Sequence, residues 1–163
     1  FAKARPTPDG KPQADIAIPS FGYKSSISIC RQFGFIRKGK VTDGARFDGR
    51  MLLDVVTGDN TASDVWADTA YRSQANERWL RRNGKVSRIH RKKPRGKPMP
   101  ERTAKANAAK SKVRARVEHV FAVVKRLWGF AKVRYRGLAK NATRSFVVLG
   151  LANIYLARQR LVA

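Results

Sequence analysis

The stretch SKVRARVEHVFAVVKRLW, residues 111–128, decides how this chain is interpreted. Valine and aromatic residues recur in it at intervals of three and four, which predicts a long helix over about Lys105–Trp128 with one apolar face. At about 100° per residue, Arg114, Glu118 and Lys125 fall within roughly 40° of one another beside that face. The sequence therefore predicts a helix that packs on a sheet and presents a carboxylate between two bases.

Two interpretations of this charged stripe are open. In the first, Arg114 and Glu118 form a surface ion pair one turn apart, worth about 0.3–0.5 kcal/mol. Alternatively, Glu118 shares a divalent cation with Asp68, because Asp68 ends a predicted buried strand over 64–68 that the helix would cross. Mg²⁺ and Mn²⁺ take oxygen ligands, and neighbouring bases would hold phosphates. Acids together with bases are what chemistry on a phosphodiester requires.

The segments on either side of this helix alternate between strand and helix patterns. The predicted strands lie at 26–30, 35–41 and 86–90. A short helix at 49–56 is capped by Asp48, and a helix at 74–83 is capped by Ser73 and buries Ala75, Trp79 and Leu80. A basic linker follows at 91–104, and a last helix covers about 139–160. This order predicts an α/β fold, with a mixed sheet flanked by helices. Residues 1–20 hold four of the seven prolines and predict a loop or linker, which leaves one domain over 21–163.

Composition points to a polyanionic partner. The 163 residues carry 36 Lys and Arg against 11 Asp and Glu, a formal charge of +25. A surface this basic favours nucleic acid, and spreading the charge along the chain disfavours a membrane-surface helix. The most apolar run, 146–157, is too short to span a bilayer and predicts a buried helix. The lone Cys30 and the lack of a visible secretory signal favour a cytoplasmic protein.

Three segments carry a resemblance to a known family: FGYK at 21–24, VWADTAYRS at 65–73 and RARVEHVF at 114–121. They resemble DDE transposases of bacterial insertion sequences, in the four/five group. That family has an R-x3-E-x6-K signature around its third catalytic acid, and Arg114, Glu118 and Lys125 match its spacing. The signature usually begins with Tyr three positions before the Arg, where this chain has Ser111.

The resemblance implies an RNase H-like fold in which three acids bind two metal ions, Mg²⁺ or Mn²⁺. Asp68 would be the second acid and Glu118 the third. Arg114 and Lys125, with Arg72 as a further candidate, would contact the phosphates of double-stranded DNA at transposon ends and target. The implied activity is DNA cleavage and strand transfer. The full-length protein would act as a homo-oligomer.

The first acid of the family does not have an obvious counterpart in this chain. Asp15 lies in a strand-like run, ADIAI at 14–18, but only six residues separate it from Gly22 and Pro19 intervenes. The chain also begins with Phe1 rather than Met. We therefore expect the first strand and its acid to lie upstream of this sequence, and we expect that this polypeptide alone does not cleave DNA.

Weaker signals have ordinary explanations beside the functional ones. Arg95 and Lys97, in the run PRGKP at 94–98, could enter an A·T-rich minor groove or could belong to a solvated linker. His90 and His119 are too few for a zinc site, which favours structural roles.

A different class of function also fits the charge of the chain. The chain could be a non-catalytic basic module that binds nucleic acid, or a small RNA-binding protein of ribosomal type, although neither explains the R-x3-E-x6-K spacing.

Overall fold

The fold was analysed in a computed structural model that describes residues 22–58 and 63–161. The predicted linker 1–20 and Asp15 lie outside the described residues. The elements in chain order are β1 (Tyr23–Ile29), β2 (Ile36–Asp43), α1 (Leu52–Val55), β3 (Asp64–Val65), α2 (Gln74–Arg82), β4 (Val86–Ser87), α3 (Glu101–Trp128) and α4 (Leu138–Leu161). Short 3₁₀ turns at Asp48–Met51 and Thr69–Tyr71 precede α1 and α2. The chain is a mixed α/β protein.

Strands β1 and β2 form an antiparallel hairpin in which Tyr23 lies opposite Asp43, with one irregularity between Ser28 and Ile29. Gly34 closes the turn at φ +76°, a left-handed conformation that favours glycine. The predicted pair of strands is confirmed, with bounds shifted by one to three residues.

Strands β3 and β4 are parallel neighbours. Backbone hydrogen bonds extend their alignment beyond the short strands: Val86 N–H to Ser63 O at 2.8 Å, Arg88 N–H to Val65 O at 2.8 Å and His90 N–H to Ala67 O at 3.1 Å. The predicted strands at 64–68 and 86–90 are therefore adjacent over almost their whole length. Asp68 directly follows the last residue that accepts one of these bonds.

The sheet arrangement differs from the expected one. Among the described residues, β1–β2 and β3–β4 are two separate pairs rather than one mixed sheet. Each pair has its own core. The first, between β3, α1 and α2, is built on Leu52, Val55, Val56, Leu80 and Ile89. The second, where α3 and α4 cover the hairpin, is built on Val123, Val124, Val148, Leu149 and Ala152.

Helix boundaries and caps follow local chemistry with two corrections. The Ser73 hydroxyl accepts a hydrogen bond from Asn76 N–H at 3.1 Å, which confirms the predicted cap of α2. Asp48 is not a cap, because it lies inside the 3₁₀ turn and pairs with Lys24 at 3.1 Å. Helix α3 begins at Glu101, directly after Pro100, so the basic linker ends at residue 100 rather than 104.

Two burial predictions were also wrong. In α2 the buried residues are Asn76 and Leu80, while Ala75 is exposed. Helix α4 buries only one face, since Phe146, Val147, Leu151 and Ile154 are all at least 39% exposed. Within the described part of the chain, no helix has the length and apolarity needed to cross a membrane.

Candidate functional site

Asp68 stands at the carboxyl end of the β3 segment and starts the turn that leads to α2. Its Oδ1 accepts hydrogen bonds from Thr69 N–H at 2.6 Å and from the Thr69 hydroxyl at 3.3 Å. The side chain is 51% exposed. Partial burial raises the pKa of Asp68, but the Thr69 bonds, the charge of Arg114 and the contact with His90 together outweigh it and lower the pKa. Asp68 is therefore a strand-end carboxylate that stays ionised at neutral pH.

Arg114 connects this carboxylate with helix α3. Its guanidinium donates a hydrogen bond to Glu118 Oε1 at 2.8 Å, so the predicted ion pair one turn apart is confirmed. Its charge also lowers the pKa of Asp68 across the fold. The Arg114 side chain is 34% exposed, whereas that of Glu118 is 61% exposed. One guanidinium thus acts electrostatically on both predicted acids.

A cleft lies beside these groups. It has a volume of about 850 Å³, and both Asp68 and Arg114 line it. Glu118 and Lys125 lie outside its lining. Lys125 is exposed on α3, with no ion pair to another residue of the described ranges. The structure therefore brings Asp68 and Arg114 to one wall and leaves Glu118 and Lys125 on the solvent side of the helix.

The oxygen chemistry of the site suits a hard cation. The Thr69 hydrogen bonds and the His90 contact of the Asp68 carboxylate all use Oδ1, and Glu118 is accessible to solvent. Mg²⁺ is commonly held by one or two carboxylates together with water and substrate phosphate. The described residues contain no cluster of three or more His, Cys, Asp or Glu side chains that could hold a metal. Each of the two carboxylates, taken singly, is of the kind that such an ion accepts as an oxygen ligand.

Arg72 is held by contacts with other parts of the protein. It donates a hydrogen bond to Ile89 O at 3.0 Å and lies 3.6 Å from Glu77 Oε1, which also accepts from the Ser87 hydroxyl at 2.8 Å. These contacts join the turn after Asp68 to β4 and α2. Arg72 is accordingly engaged in packing, in contrast to Lys125.

Several basic side chains lie close together around Lys110, in the first half of α3. Lys110 donates a hydrogen bond to Ile89 O at 3.1 Å. Burial, followed by repulsion from Arg72, Arg91 and Arg88, lowers the pKa of Lys110. Such crowding is favourable only when anions are near, which agrees with a polyanionic partner.

The basic linker lies on the surface and is fixed at its start. The Asn107 side chain accepts from Arg91 N–H and donates to Arg91 O, both at 3.0 Å. Arg95 and Lys97 follow in a fully exposed segment that turns at Gly96, where φ is +71°. Both cations are therefore presented to solvent from an anchored loop.

Sequence reasoning missed two polar residues next to the site. His90 is 8% exposed, and its Nδ1 lies 3.6 Å from Asp68 Oδ1. Asn76 is 5% exposed and donates to Gly49 O at 2.8 Å and to Tyr71 O at 2.7 Å. Asn76 thereby holds the turn that follows Asp68. Neither contact has a signal in the sequence, because each joins residues that are close only in the folded chain.

The described residues define a class: a strongly basic α/β protein with a strand-end carboxylate and a helix-borne arginine–glutamate pair beside a cleft. The sequence model of the transposase DDE domain matches residues 2–154, and the chain belongs to this family. The chain matches no solved structure. Transposases act on DNA, and the family transfers phosphoryl groups with divalent metal ions.

Proposed function

We propose that the chain is the C-terminal part of an RNase H-like catalytic domain from an insertion-sequence transposase of the four/five group. The complete domain would cut DNA strands at transposon ends and join them to target DNA, and this chain supplies Asp68 and Glu118 as two of its metal-binding acids. The observation that carries this proposal is the position of Arg114, whose guanidinium is bonded to Glu118 and whose charge reaches Asp68.

The electrostatics support a common site for the two acids. Arg114 lines the same cleft as Asp68 and lowers the pKa of that carboxyl group. The same guanidinium is hydrogen-bonded to Glu118. One base therefore links the strand-end acid with the acid on the helix.

The cleft supports the RNase H-like part of the proposal. All residues of 25–31 and all residues of 64–68 line it. When a strand faces a cavity, only every second residue lines that cavity, because successive side chains point to opposite faces. The lining residues of β1 and β3 are consecutive, which indicates that each strand presents an edge to the cleft. Neither edge pairs with another described strand.

The two edges run in opposite directions. Ser26, in the middle of β1, lies beside Tyr71 beyond the end of β3, whereas Arg31 after β1 lies over the Trp66 ring at 4.7 Å. A strand inserted between them would run antiparallel to β1 and parallel to β3, and would unite the two pairs in one mixed sheet. We propose that this strand carries the first acid, beside Asp68, and that the described residues do not cleave DNA without it.

Each residue has a distinct role in this proposal. Asp68 and Glu118 would hold the divalent ion, which when bound activates water or a 3′-hydroxyl and stabilises the leaving oxygen. The lowered pKa of Asp68 favours the ionised form, which is the form that binds a cation. Arg114 and the exposed Lys125 bind phosphate oxygens of the DNA end, and so offset the repulsion between the acids and DNA.

The test uses the purified chain and compares Asp68→Ala and Glu118→Ala with Glu101→Ala. Glu101 is a matched control, because it lies on the same helix and pairs with Lys105 at 2.7 Å, in the first turn of α3. Mn²⁺ affinity is measured by electron paramagnetic resonance, and duplex DNA affinity by fluorescence anisotropy. We expect weaker Mn²⁺ binding in the first two variants only, with DNA affinity retained in all three. Unchanged Mn²⁺ binding in Asp68→Ala and Glu118→Ala would instead favour the non-catalytic nucleic-acid-binding module.

A further inference from the structure

His90 lies between the strand-end acid and helix α3. Its Nδ1 is 3.6 Å from Asp68 Oδ1, and its Nε2 is 3.4 Å from the Ser111 hydroxyl. The residue is 8% exposed, so water has little access to the ring. The imidazole therefore spans from Asp68 to the helix that carries Arg114 and Glu118.

The two contacts define how the ring is used. A carboxylate only accepts hydrogen bonds, so the group that can stabilise Asp68 from this side is an N–H at Nδ1. At Nε2 either the ring or the Ser111 hydroxyl can be the donor. The ring thus contacts the carboxylate on one side and a hydroxyl group of α3 on the other.

The main chain of His90 is fixed at the same place. Its N–H donates to Ala67 O at 3.1 Å, the last hydrogen bond along the parallel pair, and Ala67 immediately precedes Asp68. The backbone of His90 thus holds the strand end while its side chain faces the carboxylate. Ser111 lies one turn before Arg114, which ties this arrangement to the charged face of α3.

We propose that His90 is a positioning residue for Asp68: it directs the carboxylate toward the metal and aligns it with Glu118 through Ser111. The proposal rests on the proposed function, in which Asp68 is a metal ligand. Hydrogen-bond partners of ligating carboxylates fix their orientation, and losing one typically costs about tenfold or more in metal affinity.

The Ser111–His90–Asp68 order also resembles the arrangement that activates a serine nucleophile. Ser111, however, lies well inside α3, whose backbone N–H groups are used by the helix itself. A serine nucleophile also needs donors aimed at a developing oxyanion, and this helical segment supplies none. The positioning role is therefore the one that the geometry supports.

The test replaces the ring in three ways and measures Mn²⁺ affinity of the purified chain by electron paramagnetic resonance. His90→Asn keeps a donor near the position of Nδ1, His90→Gln moves it toward that of Nε2, and His90→Leu removes it. We expect His90→Leu and His90→Gln to weaken Mn²⁺ binding about tenfold, and His90→Asn to stay near the unmodified chain. Ile89→Val is the matched control, because it alters a fully buried neighbour without touching Asp68.

Each outcome bears on one proposal. If all three His90 variants bind Mn²⁺ as tightly as the unmodified chain while Asp68→Ala loses affinity, the positioning role is overturned and the metal site stands. An unchanged affinity in Asp68→Ala would overturn the metal site itself. A loss in Ile89→Val as large as in His90→Leu would assign the effect to packing and would also overturn the positioning role. Since His90→Asn and His90→Gln both keep a polar amide, their comparison remains decisive should His90→Leu fail to fold.

Discussion

The Arg114 guanidinium donates a hydrogen bond to the Glu118 carboxylate at 2.8 Å, one helical turn further along α3. The same side chain also lowers the pKa of Asp68, which follows β3 on another part of the fold. A surface ion pair alone would be worth little. Its link to a second carboxylate makes Arg114 the residue through which the electrostatics of the site can be tested.

We expect Arg114→Gln to raise the pKa of Asp68 toward its ordinary value of 3.8, because one of the favourable charges around the carboxylate is lost. The pKa would be followed by NMR titration of the Asp68 carboxyl carbon. Arg116→Gln is the control with the same change in charge, since Arg116 donates instead to Arg31 O and is not among the causes of the Asp68 shift. An equal shift in both variants would contradict a specific effect of Arg114.

The sign of the corresponding stability effect follows from the lowered pKa of Asp68. A carboxyl group with a lower pKa in the folded state stabilises the fold at pH values above its unfolded pKa. That contribution is lost as the pH falls through the folded pKa. Arg114→Gln should therefore reduce this acid-dependent part of the free energy of unfolding, which urea titrations at neutral and strongly acidic pH would measure.

The anchored basic linker predicts a change in the salt dependence of DNA binding. Arg95→Ala with Lys97→Ala should lower the slope of log affinity against log salt by about one unit per side chain that contacts phosphate. Because both side chains are exposed, the melting temperature should not change. The slope would be measured by fluorescence anisotropy over a range of salt concentrations.

Arg72→Ala is the contrasting variant for the linker experiment. Its guanidinium is bonded to Ile89 O and faces Glu77. Its loss should therefore lower the melting temperature and leave the salt dependence of DNA binding nearly unchanged. A slope that stays the same in the linker variant would show that Arg95 and Lys97 do not contact phosphate. A large loss of slope in Arg72→Ala without destabilisation would assign the DNA contact to Arg72.

Much of the helical structure could be predicted because its causes are local. The spacing of valines and aromatics along α3 determines which face is buried, and Val120 and Val124 are buried as expected. Ser73 caps α2 through an atom three residues away. The Arg114–Glu118 pair needs only the pitch of a helix. Each of these features depends on residues within about one turn.

Features that depend on distant residues were predicted less well. The pairing of β1–β2 and β3–β4 as separate units depends on which strand edges meet, and alternation within one strand does not determine that. Asp48 pairs with Lys24, across 24 residues, instead of capping a helix. The count of possible zinc ligands favoured a structural role for His90, but its position beside Asp68 depends on the fold.

Shortening a buried side chain of α2 should lower the stability of the protein strongly. Leu80 is fully buried among Leu52, Val55 and Ile89, so Leu80→Ala should cost about 2–5 kcal/mol in the free energy of unfolding. Leu53→Ala removes the same atoms from a side chain that is 47% exposed, and should cost no more than about 0.5 kcal/mol. Urea denaturation would measure both. Similar losses in the two variants would mean that Leu80 does not belong to a packed core.

A substitution at Gly49 tests how tightly the turn after Asp68 is packed. A Cβ atom there would meet the Ala70 carbonyl oxygen and the Phe47 ring, and a backbone oxygen cannot move aside as a flexible side chain can. We therefore expect Gly49→Ala to lower the free energy of unfolding by about 1–3 kcal/mol through overpacking. Gly150→Ala is the matched control, because Gly150 is exposed within α4 and has no atom within 4 Å of the added carbon. It should stabilise the helix by about 0.5–1 kcal/mol, since alanine is the better helix former. Thermal and urea denaturation would measure both changes, and equal signs in the two variants would refute the close approach of Gly49 to Ala70.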